Sequence, residues 1–175
     1  MHRLAWILLL VSACTADTGD EGFSIIHNLA PGANCALTPG GAFLSRGTID
    51  VKSPNPYLLT PEFTSRITAG EGSEAQRTIA LRGARIEVTN ATSPDQTIAN
   101  NKFTSLFAAS LSPLGMTTAS LDVLTPEIIA QLGVTPTKRV QVVAKVTPFG
   151  ALGGSGDEID GVPFDIRSPS VMAAS

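Results

Sequence analysis

Histidine, cysteine and aromatic residues are scarce in this chain. Its 175 residues include two histidines, two cysteines, one tryptophan and one tyrosine. Each shortage removes a class of chemistry. Two cysteines cannot build a disulfide framework, so stability must come from core packing. A structural zinc site draws four ligands mostly from cysteine and histidine, and that set is missing. His27 is the one histidine beyond the first few residues, and there is no G-x-S-x-G elbow, so the sequence offers no Ser-His-Asp machinery. The net charge is −3, with no cluster of Lys and Arg interleaved with aromatics, which argues against a nucleic-acid partner. No apolar run approaches the roughly 20 residues that a membrane-spanning helix needs. The inventory predicts a protein that is not an enzyme and carries no cofactor.

What is present begins at the N-terminus, MHRLAWILLLVSACTADTGDEG. Leu4 to Ala13 is apolar but far too short to span a bilayer. His2 and Arg3 precede it, and Trp6 to Val11 has the character of a signal-peptide h-region. The run V-S-A-C resembles the lipobox of bacterial lipoproteins. That resemblance implies cleavage before Cys14, diacylglycerol on its thiol and a further acyl chain (palmitate-type) on its new amine. Residues 1–13 are then a signal peptide and 14–22 a lipidated cysteine with an acidic tether. An ordinary secretory cleavage near Ala13 or Ala16 is the other reading, and both export the protein. One acyl chain anchors a protein only marginally, whereas several anchor it durably. Thr15, rather than aspartate, follows the cysteine, which by resemblance to enterobacterial sorting favours the outer membrane. Asp17, Asp20 and Glu21 read as a solvated linker, not as calcium ligands.

From residue 23 to 175 the pattern is that of one β domain. F-S-I-I-H-N-L, then Phe43 to Val51, look like strands, and prolines 54, 56 and 61 punctuate a loop around Tyr57-Leu58-Leu59. The clearest alternation is R-T-I-A-L-R-G-A-R-I-E-V-T-N. Ile79 and Leu81 share one phase, Ala84, Ile86 and Val88 the other, and the change predicts a bulge near Gly83. Period-2 alternation recurs at Phe103–Leu111, Thr117–Val123, Val140–Val146 and Val162–Ile166. L-T-P-E-I-I-A-Q-L-G breaks it. Thr125 is an N-cap candidate, Pro126 sits at the first helical position and Gly133 is a stop, so one short helix is expected. About seven to nine antiparallel strands predict an immunoglobulin-like β-sandwich, with a small β-barrel as the alternative.

Candidate sites are few. Gly150 to Gly161 is glycine-rich, but a strand rather than a helix follows and no Lys closes it, so it reads as a hairpin connection, not a phosphate loop. Asp157, Glu158 and Asp160 within it are weak candidates for a metal, calcium, without an EF-hand pattern. Asn90-Ala91-Thr92 matches a glycosylation sequon but reads better as a turn after a strand. Cys35, with Cys14 lipidated, is read as a small buried hydrophobe.

Beyond the lipobox, the order G-F-S-I-I-H-N-L, Cys35, R-G-T-I-D-V, Y-L-L-T-P-E-F, I-A-L-R-G-A-R-I-E-V, V-L-T-P-E-I-I-A-Q-L, V-Q-V-V-A-K-V and G-V-P-F-D-I resembles a group of uncharacterised lipoproteins of myxobacterial type. The resemblance implies a lipid-anchored β-sandwich of the cell envelope, and no catalytic mechanism. Such relatives end in cysteines after the last strand, whereas this chain ends S-P-S-V-M-A-A-S, a departure that leaves Cys35 either as a small buried hydrophobe or with a partner on another molecule. The expected role is a non-enzymatic structural or protein-interaction module. Its partners are the membrane, through the lipid, and an envelope protein or surface ligand. The alternative is a binder of a small ligand, carbohydrate or calcium through the loop Gly153 to Gly161.

Overall fold

Strand β4 (Ile79–Asn90) organises the molecule, because it is paired along both edges. On one side lies β5 (Lys102–Leu111) and on the other β8 (Val140–Leu152). The computed structural model of the chain describes residues 22–30, 36–38, 40–42, 54–68, 73–135, 138 and 140–171. The expected strand at Phe43–Val51, and both Cys14 and Cys35, lie outside these. Of the described residues, 53% are in strands and 8% in helices, which makes the fold all-β.

The phase change read in the sequence is a register shift between Leu81 and Gly83 in both ladders of β4. Ile79 and Leu81 before it, and Ala84, Ile86 and Val88 after it, are all buried. Without the irregularity, one of the two sets would face solvent, since side chains alternate with period 2. On the far edge of β8 run β9 (Glu158–Asp160) and then β10 (Phe164–Val171), giving the order β10-β8-β4-β5 with β9 beside β8. β10 is an edge strand that contains Pro169, next to a register shift between Ser168 and Val171. A residue without an N–H is tolerated there and discourages pairing with other chains.

Two smaller sheets accompany the large one among the described residues. β1 (Phe23–Asn28), β3 (Pro61–Ser65) and β6 (Met116–Thr118) form one, in the order β1-β3-β6. β2 (Tyr57–Leu59) and β7 (Leu121–Leu124) form the other. Phe23, Ile25 and Phe63, then Leu59, Leu121 and Leu124, join Ile79, Leu81, Ile86 and Val140 of the large sheet in one hydrophobic cluster. Phe63 is fully buried, and its ring lies 5.5 Å from that of Phe107 on β5. Burying such a side chain contributes about 1.5–3 kcal/mol.

The short helix falls where its caps place it. α2 (Pro126–Gln131) starts at Thr125, whose hydroxyl accepts from the Ile128 N–H at 3.4 Å. It stops at Gly133, with φ of +59°. Ile128, Ile129 and Leu132 face the core.

Four expectations change. Among the described residues the sheets do not close into a barrel. The loop around Tyr57-Leu58-Leu59 is instead β2 and β3, because Pro61 sits at the first residue of its strand, where its ring costs no interior ladder bond. The alternation from Thr117 to Val123 is two strands in two sheets, β6 and β7, broken at Ala119-Ser120. A second helix, α1 (Glu74–Arg77), adds to the one expected. The Gln76 side chain accepts from the Ser73 N–H at 3.1 Å, the half of a capping box that S-E-A-Q encodes.

Candidate functional site

The outer face of the large sheet carries a cluster of charged side chains. Its centre is Arg85 on β4. The bulge beside it places Gly83 under the ring of Phe149 from β8, in register with it. A Cβ on Gly83 would lie 2.9 Å from that ring and 2.7 Å from the Ser105 carbonyl, so only glycine fits. The Arg85 guanidinium carbon stands 4.8 Å from the centroid of the same ring. Arg85 then reaches β9, donating through Nη1 to Asp160 Oδ1 at 2.5 Å and through Nη2 to Glu158 Oε1 at 2.6 Å. The hydrogen bond to Asp160, followed by the charges of Asp160 and Glu158, holds Arg85 charged to a pH above its ordinary range. All three side chains are about half exposed. Pairs of this kind contribute at most about 1 kcal/mol each.

Two of the three sequence candidates for a metal are therefore turned to an arginine. Asp157 is exposed in the turn ahead of them, where its N–H donates to the Ser155 hydroxyl at 3.2 Å. Among the described residues no three His, Cys, Asp or Glu side chains converge as metal ligands would. The glycine-rich segment does hold a hairpin turn, with Gly156 at φ +73°, but it joins β8 to β9, a strand that reading residues 150–161 as a connection does not anticipate. Its Gly153 and Gly154 N–H groups donate to Thr78 and Gln76 carbonyls, which ties the turn to α1.

Beside Arg85 an open groove of about 390 Å³ is lined by Glu87, Lys102, Phe103, Lys145 and Thr147. Its charges alternate in sign. Lys102 pairs with Glu87 at 3.1 Å, and Lys145 stands in register between Glu87 and Asp165. Such a ladder is close to self-neutralising and has no strong preference for an anion or a cation.

A second group surrounds the connection between β4 and β5. Asn90, the sequon asparagine, is buried, and its carbonyl oxygen accepts from Thr92 and Ser93 N–H groups at 2.9 and 3.0 Å. Its amide donates to Gln96 at 2.6 Å, and Gln96 donates to the Gln131 carbonyl of α2 at 2.6 Å. This is an Asx turn after the strand, and a buried asparagine used this way is not presented as a glycan acceptor. A cavity of about 260 Å³ lies along the same loop, lined by Asn90, Asp95, Gln96, Thr97, Ile98 and Asn101.

His27 lies on β1 as expected, in register with Glu62 of β3. Its Nε2 is 4.0 Å from Glu62 Oε1. Glu62 is 1% exposed, and its other oxygen accepts from the Gly40 N–H at 2.5 Å. Neither the burial of Glu62 nor the reach of Arg85 to residues 73 and 75 positions away has a signal in the sequence. The outward phase of Arg85 and Glu87 on β4 was the only part of this arrangement that alternation could have shown.

No family model matches this chain, and neither a curated protein nor a solved structure matches it.

Proposed function

We propose that this chain is an exported, lipid-anchored module of a bacterial cell envelope, held at the outer membrane through Cys14, with a non-enzymatic role in protein contact. On this reading it belongs with the uncharacterised lipoproteins of myxobacterial type that its sequence resembles. The observation that carries the reading is V-S-A-C at residues 11–14, behind a short apolar run and shortly before the first strand at Phe23. That the small sheets and α2 share one core with the large sheet supports a β-sandwich. The Arg85 grip on Glu158 and Asp160 favours a structural role for that hairpin over calcium binding.

The test is intact-mass analysis of the protein extracted from membranes, with protease shaving of whole cells. An epitope inserted between Ser155 and Gly156 suits the shaving, because no neighbour lies within 4 Å of a Cβ built at Gly156. A mass beginning at Cys14 with lipid attached is the expected result. An unmodified chain recovered in the soluble fraction overturns the anchor. Loss of the epitope from intact cells assigns the module to the outer surface, and protection until the outer membrane is opened assigns it to the periplasmic side.

A further inference from the structure

Gly22, the first described residue, is held in place. The Gly22 carbonyl accepts from the Arg66 N–H at 2.8 Å, and Gly22 lies against the Ile67 side chain. Ile67 in turn accepts from the Leu114 N–H at 3.1 Å, and the Ser65 N–H donates to the Gly115 carbonyl at 3.0 Å. The turn S-P-L-G, residues 112–115, is thus held at the same end of the molecule as Gly22. It is closed by the Gly115 N–H on the Ser112 carbonyl at 2.9 Å.

Leu114 in this turn has φ of +52° and is 64% exposed. A turn with proline at its second position and positive φ at its third favours glycine or asparagine there. A bulky apolar residue in that conformation is a true outlier. Packing does not explain it, since most of the side chain is in water. Two residues on, Met116 at the start of β6 is 57% exposed. Extending the β3–β6 register, in which Thr64 faces Met116, puts the exposed Arg66 opposite Leu114. An apolar tip flanked by a cation is the composition of an element that rests in a lipid headgroup layer.

We propose that Leu114 and Met116, flanked by Arg66, form a second membrane contact that seats the domain on the phospholipid bilayer holding its anchor. This rests on the lipid-anchor reading. On the reading of residues 14–22 as a tether, eight residue steps separate Cys14 from Gly22, and a random coil of that length spans about 16 Å root-mean-square. That brings the tip within reach of the layer that holds the acyl chains. A tether alone leaves the domain free to tumble, and this contact gives it one orientation.

The test uses the lipidated protein extracted from membranes, which on this reading begins at Cys14 and holds no tryptophan, reconstituted into vesicles of phosphatidylethanolamine and phosphatidylglycerol with brominated acyl chains. Tryptophan is introduced in separate variants by Met116→Trp and by Leu106→Trp. Leu106 is 77% exposed but lies on β5 of the large sheet. Quenching at least twofold stronger for Met116→Trp than for Leu106→Trp is expected. Adding Leu114→Asn should reduce that quenching without lowering the melting temperature in detergent, because asparagine suits the positive φ. A turn with a structural role alone would keep the quenching. Equal or absent quenching in vesicles that carry the floated protein overturns the contact and leaves the anchor standing. A chain without lipid that fails to float overturns both.

Discussion

Gln131 of α2 holds the backbone of Ala99 from both sides. Its side-chain oxygen accepts from the Ala99 N–H at 2.7 Å, and its amide nitrogen donates to the Ala99 carbonyl at 3.2 Å. The arrangement is that of a β-bridge in which one partner is a side chain. It satisfies both polar groups of a loop residue just before Asn100, which has φ of +54°. Replacing Gln131 with alanine removes both bonds and leaves those groups to water. We expect a loss of about 1–3 kcal/mol in urea unfolding. Faster amide exchange should be confined to residues 91–101 and α2, and uniform exchange across the fold would contradict the latch.

Gly83→Ala should be costly for a strand glycine on a surface-facing register. The added methyl meets the Phe149 ring and the Ser105 carbonyl at distances real Cβ atoms do not adopt. Overpacking of this kind costs about 1–3 kcal/mol. A second change, Phe149→Leu, removes the ring and should recover part of the loss. Purely additive effects in the double-mutant cycle would show that the ring is not the obstacle.

Arg85→Ala should loosen β9 more than it destabilises the whole protein. The two ion pairs are half exposed, so global stability should fall by no more than about 2 kcal/mol. Limited proteolysis at Gly153–Gly161 is the more sensitive measure. Arg85→Lys should be intermediate, because an ammonium cannot serve two carboxylates as a planar fork does.

The start of α2 should respond to acid. Glu127 is held below its ordinary value of 4.5, first by its own backbone N–H and then by the Thr125 hydroxyl. A carboxylate with a lowered folded value adds stability above its unfolded value and loses it as the pH falls through the folded one. Glu127→Gln should therefore destabilise at about pH 6 and make little difference at about pH 3, measured by urea unfolding at each. An equal effect at both values would remove the charge from the explanation.

Much of this fold is legible in the sequence, and the reason differs by element. The Gly83 irregularity shows as a change of phase because burial is alternate on both sides of it. α2 shows because Thr125, Pro126 and Gly133 each have a separate local cause for their positions. β2 and β3 do not show, because three prolines in eight residues dominate the local signal while pairing with β7, β1 and β6 is set from afar. α1 is only one turn long, too short for any periodicity, and S-E-A-Q was its sole cue. The same distinction governs the polar sites. Asn90 acts on its own neighbours and its turn is readable, whereas Arg85 and Glu62 meet partners that only the tertiary fold brings near.

Val162 lies between β9 and β10, and there the chain leaves β8 to touch β1. Its N–H donates to the Phe23 carbonyl at 3.0 Å, and it forms a parallel bridge with Ser24. The first strand is therefore finished by a residue close to the other end of the sequence. A chain that emerges N-terminus first, from a ribosome or through a translocation channel, cannot complete that seam until residue 162 is out. β4 is in the same position, since its ladder with β8 extends to Leu152. The strands of the two small sheets are all out by residue 124, but the partly emerged chain lacks the centre of its large sheet until β8 is free and its Phe23–Val162 seam until residue 162 follows.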